Sequence, residues 1–319
     1  MKILVTGNEG YVGSVLVEEL MREDNYVIGY DTGYYDGFLY PNTKSHIQIR
    51  KDIRDVSGED LKDVEAIIHL AALSNDPLGE LDGNLTHEIN FLGTIRLAQY
   101  AKEAGVKRFI YASSQSMYGI SDSDDELDED ASKSPLTMYA KTKWDAECAL
   151  KDLSSDDFIV TCFRPSTVFG VSPNLRCDIV FNNLVACAFT TGSIEIKSDG
   201  TPWRPVVHIR DVAAAFMAGI KAPAHLISGE SFNVGIENGN YTVRDLAEAA
   251  QKAVPGSTLI FTGEHGSDSR TYKISFQKIL QKLSDYYKPQ WNLESGGAQL
   301  VDMFKRVNFT QERFRGKEC

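Results

Sequence analysis

Tyr139 and Lys143 stand four residues apart in Y-A-K-T-K (139–143), a spacing that places both on one face of a helix. Tyrosine is a poor acid or base near neutrality, with a reference pKa of about 10. A lysine one turn away favours its phenolate. Such a pair can take a proton from a hydroxyl while a hydride leaves the same carbon. The spacing alone is common, and its surroundings give it weight. In Y-A-S-S-Q-S-M-Y-G (111–119) an apolar run ends in Ser113, Ser114, Gln115 and Ser116. Either this is an ordinary polar strand exit, or the hydroxyls face a reacting group. Side chains two apart on extended chain share a face. Ser114 and Ser116 are therefore expected to point together, with Gln115 turned elsewhere.

A hydride needs an acceptor, and the N-terminus offers a place for one. V-T-G-N-E-G-Y-V-G-S sets Gly7, Gly10 and Gly13 directly after an apolar run. Gly7 suits a tight turn, Gly10 the close approach of a pyrophosphate, and Gly13 the packing of helix on strand. The helix that follows presents its positive end to phosphate. Asp31, in G-Y-D-T-G, closes the next apolar run. A carboxylate there accepts from ribose hydroxyls and repels a 2′-phosphate, so the expected cofactor is NAD rather than NADP.

The elements that must position these residues follow from the apolar pattern. Short runs at 2–6, 26–30, 46–50, 65–72, 108–113 and 158–163 read as strands. Helical periodicity separates them, notably at 86–104 and 136–153. Alternating strands and helices imply right-handed crossovers and an α/β fold, a Rossmann-type doubly wound parallel sheet. After about residue 170 shorter strands (193–197, 206–209, 231–234, 258–261) mix with helices (178–190, 210–221, 242–253, 275–283). This predicts a dinucleotide-binding domain over 1–170, with segments near 200–235 returning to it. A smaller mixed α/β lobe over 171–319 would carry the substrate.

The chain has 319 residues, 42% of them apolar, enough for this plan. Its net charge of −12 disfavours nucleic acid and anionic membranes as partners. No apolar run is long enough to span a bilayer, and the first residues lack a signal peptide's apolar core. The five cysteines, 148, 162, 177, 187 and 319, show no metal-like spacing, so no metal is expected and a reducing cytosol is the natural compartment. Seven of the ten residues at 121–130 are acidic, which reads as a solvated loop or as a flap beside the site.

Taken together these stretches resemble the extended short-chain dehydrogenase/reductase family, and within it the NAD-dependent epimerase/dehydratase group that acts on nucleotide sugars. T-G-N-E-G-Y-V-G fits that family's T-G-x-x-G-x-x-G, which adds Glu9, Tyr11 and Val12 to the cofactor loop. K-D-I-R-D (51–55) is similar to its adenine-contacting turn and implicates Asp52 and Ile53. H-L-A-A (69–72) is similar to the segment beneath the pyrophosphate, with Leu70, Ala71 and Ala72, and Ser74 just beyond is a substrate candidate. F-R-P-S-T-V-F-G (163–170) resembles the segment near the nicotinamide and brings in Arg164 and Ser166. W-R-P-V-V-H-I-R-D-V (203–212) resembles the segment whose arginine binds the substrate diphosphate, which is Arg204 here. Arg270 is a second diphosphate candidate and Asn183 a polar one. His208 reads as a core histidine. Phe169 and Trp203 can pack on a base or nicotinamide, or in the core. By the resemblance Tyr139, Lys143 and Ser114 are catalytic, with Ser116 the next site-facing position and Gln115, between the two serines, counted in the same catalytic set. The family also pairs the helices 86–104 and 136–153 of two copies, implying a homodimer with Leu92, Leu97, Met138 and Ala146 partly at the interface.

Gln115 and Ser116 bear on the reaction. Related 4,6-dehydratases carry an Asp-Glu pair immediately after the hydroxyl residue, and neither Gln115 nor Ser116 ionises near neutrality. A related 3,5-epimerase carries cysteine where Ser116 stands. The expected function is therefore an NAD-dependent nucleotide-sugar epimerase, with 4-epimerisation through a transient keto-sugar the leading choice. A 4-dehydrogenase or keto-sugar reductase needs the same residues and remains the alternative. A non-catalytic NAD(H)-sensing protein would have no use for Ser114, Tyr139 and Lys143 together.

Overall fold

A computed structural model describes residues 1–34, 38–74, 76–120, 125–264 and 271–315. Strands Lys2–Thr6, Tyr26–Asp31, Ile47–Arg50, Ala66–His69, Arg108–Ala112, Ile159–Pro165 and Glu230–Val234 form one sheet, and every pairing in it is parallel. From one edge the order is Glu230–Val234, Ile159–Pro165, Arg108–Ala112, Ala66–His69, Lys2–Thr6, Tyr26–Asp31, Ile47–Arg50. The chain starts in the middle, winds to one edge, then crosses back to build the other half. The winding reverses between Lys2–Thr6 and Ala66–His69, and the glycine loop leaves Lys2–Thr6 at that point. A crevice beyond the carboxyl ends of such strands is where doubly wound sheets hold ligands.

Both faces of the sheet are covered, which explains why its strands read as continuous apolar runs. Ile3 and Val5 pack with Val15 and Leu16 of helix Tyr11–Arg22 and with Val212 and Phe216 of helix Ile209–Lys221. Leu4 and Ile67 face the other way, onto Leu97 of helix Thr94–Glu103 and Ala146 and Leu150 of helix Met138–Leu153. Leu97 and Ala146 are therefore core residues and not interface ones, both 0% exposed, whereas Leu92 is 47% exposed.

The helix expected over 86–104 is three pieces. Gly83–His87 and Thr94–Glu103 are α-helical, and Glu88–Gly93 between them is a π-turn. Such turns are frequent at functional sites. The extra residue in the turn lets the buried Asn90 reach back and grip Leu73, accepting from its N–H at 2.8 Å and donating to its carbonyl at 3.1 Å.

A second apolar cluster gathers helices Val180–Thr191, Val243–Ala253 and Leu293–Arg306. Beside it lie two small sheets, one of Ser193–Ile196 with Thr258–Phe261, the other of Thr167–Phe169, Trp203–His208 and Asn240–Thr242. The strand Glu230–Val234, expected among the late short strands, lies in the main sheet against Ile159–Pro165. Helix Leu293–Arg306 has a weak sequence signal, because Gly296 and Gly297 interrupt its pattern. A Cβ at Gly296 would stand 2.4 Å from the Phe169 ring, so the glycine permits that packing. The acidic run is partly tied down: Glu126–Leu127 pairs with Lys273–Ile274, and the buried Glu129 carboxylate accepts from Asn233 N at 2.7 Å. Among the described residues no helix is long and apolar enough to cross a membrane.

Candidate active site

The glycine loop has the geometry of a phosphate cradle. Gly7 has φ +69°, and a Cβ on it would press on the backbone of Ala71 at 2.8 Å. A Cβ on Gly13 would stand 2.1 Å from the Gly7 carbonyl, so this glycine seats helix Tyr11–Arg22 on the loop. Gly10 is that helix's N-cap and provides no side-chain cap, and the first turn holds no acid. The amides at Tyr11, Val12 and Gly13 are thus presented for an anion. The Tyr11 ring turns inward, its hydroxyl donating to Gly170 O at 2.8 Å. Asp31 accepts from Glu9 N at 3.0 Å and from Gly33 N at 2.9 Å, which fixes its carboxylate beside the loop. Asp52 caps the turn Ile53–Asp55 and pairs with Arg54, while Ile53 is buried beneath it. Leu70 N and Ala71 N both donate to Thr6 Oγ1 at 3.2 Å, pinning the segment that runs on through Ala72 to Ser74. Ser74 is exposed. These features fit a dinucleotide.

Met138–Leu153 begins at Thr137, whose side chain accepts from Ala140 N, and so carries Tyr139 in its first turn. Lys143 is buried one turn on and donates to Ala112 O at 2.7 Å, at the end of strand Arg108–Ala112. Its ammonium lies 4.8 Å from the centre of the Tyr111 ring and 5.9 Å from that of Tyr139. Burial lowers its pKa from 10.5 to about 7. Two residues past Ala112, Ser114 caps the turn Gln115–Tyr118 by accepting from Ser116 N, and its hydroxyl meets that of Ser116 at 2.8 Å. The two hydroxyls point together, as expected, although the strand has already ended. Gln115 is buried, its amide donating to Arg164 O at 2.9 Å, so it turns inward and away from the hydroxyl pair.

Several residues expected to touch ligand are committed to the protein. Arg164 is 1% exposed, its Nε donating to Glu147 at 3.1 Å and its Nη1 to Tyr118 Oη at 2.7 Å. Its guanidinium is spent on these internal partners and braces the sheet. Ser166 donates from both nitrogen and Oγ to Val234 O. Asn183 donates to Cys177 O at 2.9 Å and faces Cys187 Sγ, which fixes the entry to its helix. His208 is a core histidine stacked on Trp291 at 4.1 Å, and Phe169 packs edge-on to it. Trp203 lies under the Lys273 ammonium, 4.6 Å away. Arg204 is half-buried at the start of Trp203–His208, with Nη1 on the Trp203 carbonyl at 2.8 Å. Arg270 lies outside the described residues.

The structure adds residues that the sequence did not single out. Thr6, His69 and Thr94 form a buried chain, with Oγ1 to Nδ1 2.6 Å and Nε2 to Oγ1 2.7 Å. Burial and the nearby Lys143 push the His69 pKa down to about 3, so the ring is neutral. Glu147 gathers Arg164, Ser113 and Ser231 beneath the site. Arg176, bonded to Asp178 at 3.0 Å, is within electrostatic reach of Tyr139 and Tyr11. The single signal in sequence for Glu147 was an acid on the apolar face of an amphipathic helix. Arg176 sits in a loop with no periodicity to read.

Comparison with known proteins agrees with this geometry. The model of the NAD dependent epimerase/dehydratase family matches residues 3–235. A probable UDP-glucuronate 4-epimerase of Rhizobium meliloti is 25% identical, the match covering 95% of this chain and 97% of that one. A mouse dTDP-D-glucose 4,6-dehydratase is 24% identical over 96% of this chain and 89% of its own. The crystal structure of a UDP-glucuronic acid 4-epimerase from Bacillus cereus, in complex with UDP-glucuronic acid and NAD, superposes with a TM-score of 0.81 at 25% identity, covering 96% of this chain and 100% of that one. The glycine cradle, the Tyr139–Lys143 helix and the matched span agree, and this chain belongs to the NAD dependent epimerase/dehydratase family.

Proposed function

We propose that the chain is a nucleotide-sugar 4-epimerase. One arrangement carries the reading: the buried Lys143 bonds Ala112 O, two residues before the paired hydroxyls of Ser114 and Ser116, its ammonium is 5.9 Å from the centre of the Tyr139 ring, and no ionisable group occupies position 115 or 116. A dehydratase must protonate a departing hydroxyl and remove a second proton, and the chain offers no carboxyl at those two positions. Resemblance to a UDP-glucuronate 4-epimerase supports C4 as the centre and a uridine diphosphate sugar as substrate.

Gly7, Gly10, Gly13 and Asp31 would hold NAD, which when bound supplies a hydride acceptor and then a donor at the sugar carbon. Lys143, one turn from Tyr139, favours the phenolate by its charge. Tyr139 then takes the C4 hydroxyl proton, and the Ser114 hydroxyl bonds the same oxygen. Once the keto-sugar has turned to offer its other face for reduction, Tyr139 returns the proton to the C4 oxygen. Arg204 binds the diphosphate, for which a planar fork is suited. The chain works as a homodimer through the helical faces of 83–103 and 138–153, where Leu92 is exposed.

Incubation with a panel of nucleotide sugars in deuterated buffer tests this. The expected product has unchanged mass and no carbon-bound deuterium, and Tyr139→Phe abolishes its formation. Deuterium at C3 or C5 would indicate enolisation and exclude the 4-epimerase. Net reduction of added NAD would identify a dehydrogenase instead. Light scattering giving a monomer mass at micromolar concentration would exclude the dimer.

A further inference from the structure

The family motif leaves residue 9 unspecified, yet Glu9 has a defined partner here. Strands Tyr26–Asp31 and Ile47–Arg50 run parallel and in register, so Asp31 and Arg50 stand side by side at their carboxyl ends. This is the edge at which a dinucleotide's adenosine ribose meets the acid of the second strand. Arg50 lies across Gly33, where a Cβ would come within 2.4 Å of its Nη1. Both Nη atoms of Arg50 bond Glu9, with Nη2 to Oε1 at 2.8 Å. The Glu9 side chain is 12% exposed, and its own N–H donates to Asp31. The neighbouring Lys51 is turned to Asp60 at 2.8 Å. Two carboxylates and one guanidinium therefore meet at one spot, with a net charge of −1 by formal count.

An arginine beside the ribose is the usual means of accepting a 2′-phosphate. Here that arginine is present but its fork is closed on a carboxylate. We infer that Glu9 is a specificity determinant for the cofactor: it holds Arg50 against Gly33 and so withholds it from a 2′-phosphate, reinforcing Asp31. The chain thus contains an NADP-accepting arginine that one carboxylate keeps latched. The inference rests on the dinucleotide reading of the glycine loop and names the residues that choose between its two forms.

The test measures occupancy and does not depend on turnover. Protein cleared of bound dinucleotide is equilibrated with equal NAD and NADP, freed of unbound ligand and denatured, and the released dinucleotides are quantified by chromatography. Wild-type protein is expected to hold NAD almost alone. Glu9→Gln is expected to raise the NADP:NAD ratio at least tenfold, Arg50→Met alone is not, and adding Arg50→Met to Glu9→Gln is expected to cancel the gain. High salt should shrink the gain, because a phosphate contact is screened. Retained NAD binding reports that the variant folds, and Glu9→Ala serves where Glu9→Gln does not. A shift below tenfold, or one that survives Arg50→Met, overturns the inference. Wild-type protein that holds neither dinucleotide overturns the cofactor reading and this inference with it.

Discussion

A buried ammonium is unfavourable for folding, and Lys143 is buried beside the Tyr111 ring with its charge directed at Ala112 O. Its pKa falls from 10.5 to about 7 because burial penalises the charged form. The sign of the linkage follows. Between about pH 7 and 10.5 the unfolded chain binds the proton and the folded chain does not, so wild-type stability rises with pH through that window. Below pH 7 both states are protonated and the full penalty remains. Lys143→Met is therefore expected to compare best with wild type below pH 7 and to lose ground steadily towards pH 10, read as melting temperature in the dinucleotide-free protein. Turnover of the same variant should fall by about 10²-fold or more, the usual weight of acid–base assistance. A melting difference that did not vary with pH would exclude the burial argument. Tyr139 and Lys143 were legible in the sequence because a four-residue spacing survives folding whatever packs around it. Arg164 was not, because a motif gives a residue's place in the chain and not which way its side chain turns. Its guanidinium points into the sheet's interior, at Glu147.

At the scale of elements, two glycines separate two kinds of requirement. Gly13→Ala would drive a Cβ to 2.1 Å from the Gly7 carbonyl, a backbone atom that cannot give way, so the helix must shift off the loop. The expected loss is about 1–3 kcal/mol of stability, as for an overpacked core, together with dinucleotide affinity. At Gly10 the same Cβ meets the Gly7 carbonyl only at 3.2 Å. Gly10→Ala should melt within a few degrees of wild type and yet bind dinucleotide poorly, since its methyl blocks the approach to the loop amides. Calorimetric titration beside thermal melting separates the two variants. A second element-scale dependence centres on Glu147, which joins helix Met138–Leu153 to Ser113, to Arg164 on strand Ile159–Pro165 and to Ser231 on strand Glu230–Val234. Arg164→Met leaves that buried carboxylate with only Lys151, 3.5 Å away, as a cation, so the expected loss lies towards the lower end of about 3–5 kcal/mol in denaturant melts. Arg164→Met with Glu147→Leu should recover much of it. The sheet itself was legible from its apolar runs, with strand ends misplaced by a few residues. The π-turn at Glu88–Gly93 was not, because the contact Asn90 makes there is with Leu73, seventeen residues earlier in the chain. The outer strand Glu230–Val234 lies within the segment expected to return to the dinucleotide domain, but its pairing with Ile159–Pro165, far back in the chain, was not readable from local pattern.

At the scale of the whole molecule, what matters is how the dinucleotide half is joined to the second cluster. The seam is polar and buried. Tyr11 Oη donates to Gly170 O at 2.8 Å, and Ser14 Oγ meets Ser172 Oγ at 2.9 Å. Asn174 donates to Glu9 O at 3.1 Å, so the segment after Phe169 is tied directly to the glycine loop. Asn182, 0% exposed at the head of helix Val180–Thr191, holds the seam together. Its Oδ1 accepts from Gly170 N at 2.9 Å, while its Nδ2 donates to Tyr11 Oη at 3.1 Å and to Arg176 O at 2.9 Å. The same amide thereby fixes the start of the cofactor helix and the loop that carries Arg176. Asn182→Leu keeps the volume and removes all three bonds. A buried polar group left without its partner costs about 1–3 kcal/mol, so the variant should lose several kcal/mol in denaturant melts. Its kinetics should show where the damage goes. If the seam orients the second cluster towards the site, KM for the nucleotide sugar rises more than dinucleotide affinity falls, because the glycine loop keeps its own contacts at Gly7 and Gly13. Asn182→Asp, which preserves the acceptor for Gly170 N and loses the donors, should fall between the two. Equal losses in sugar and dinucleotide binding would mean that the seam serves stability alone and that the halves do not depend on it for their relative placement.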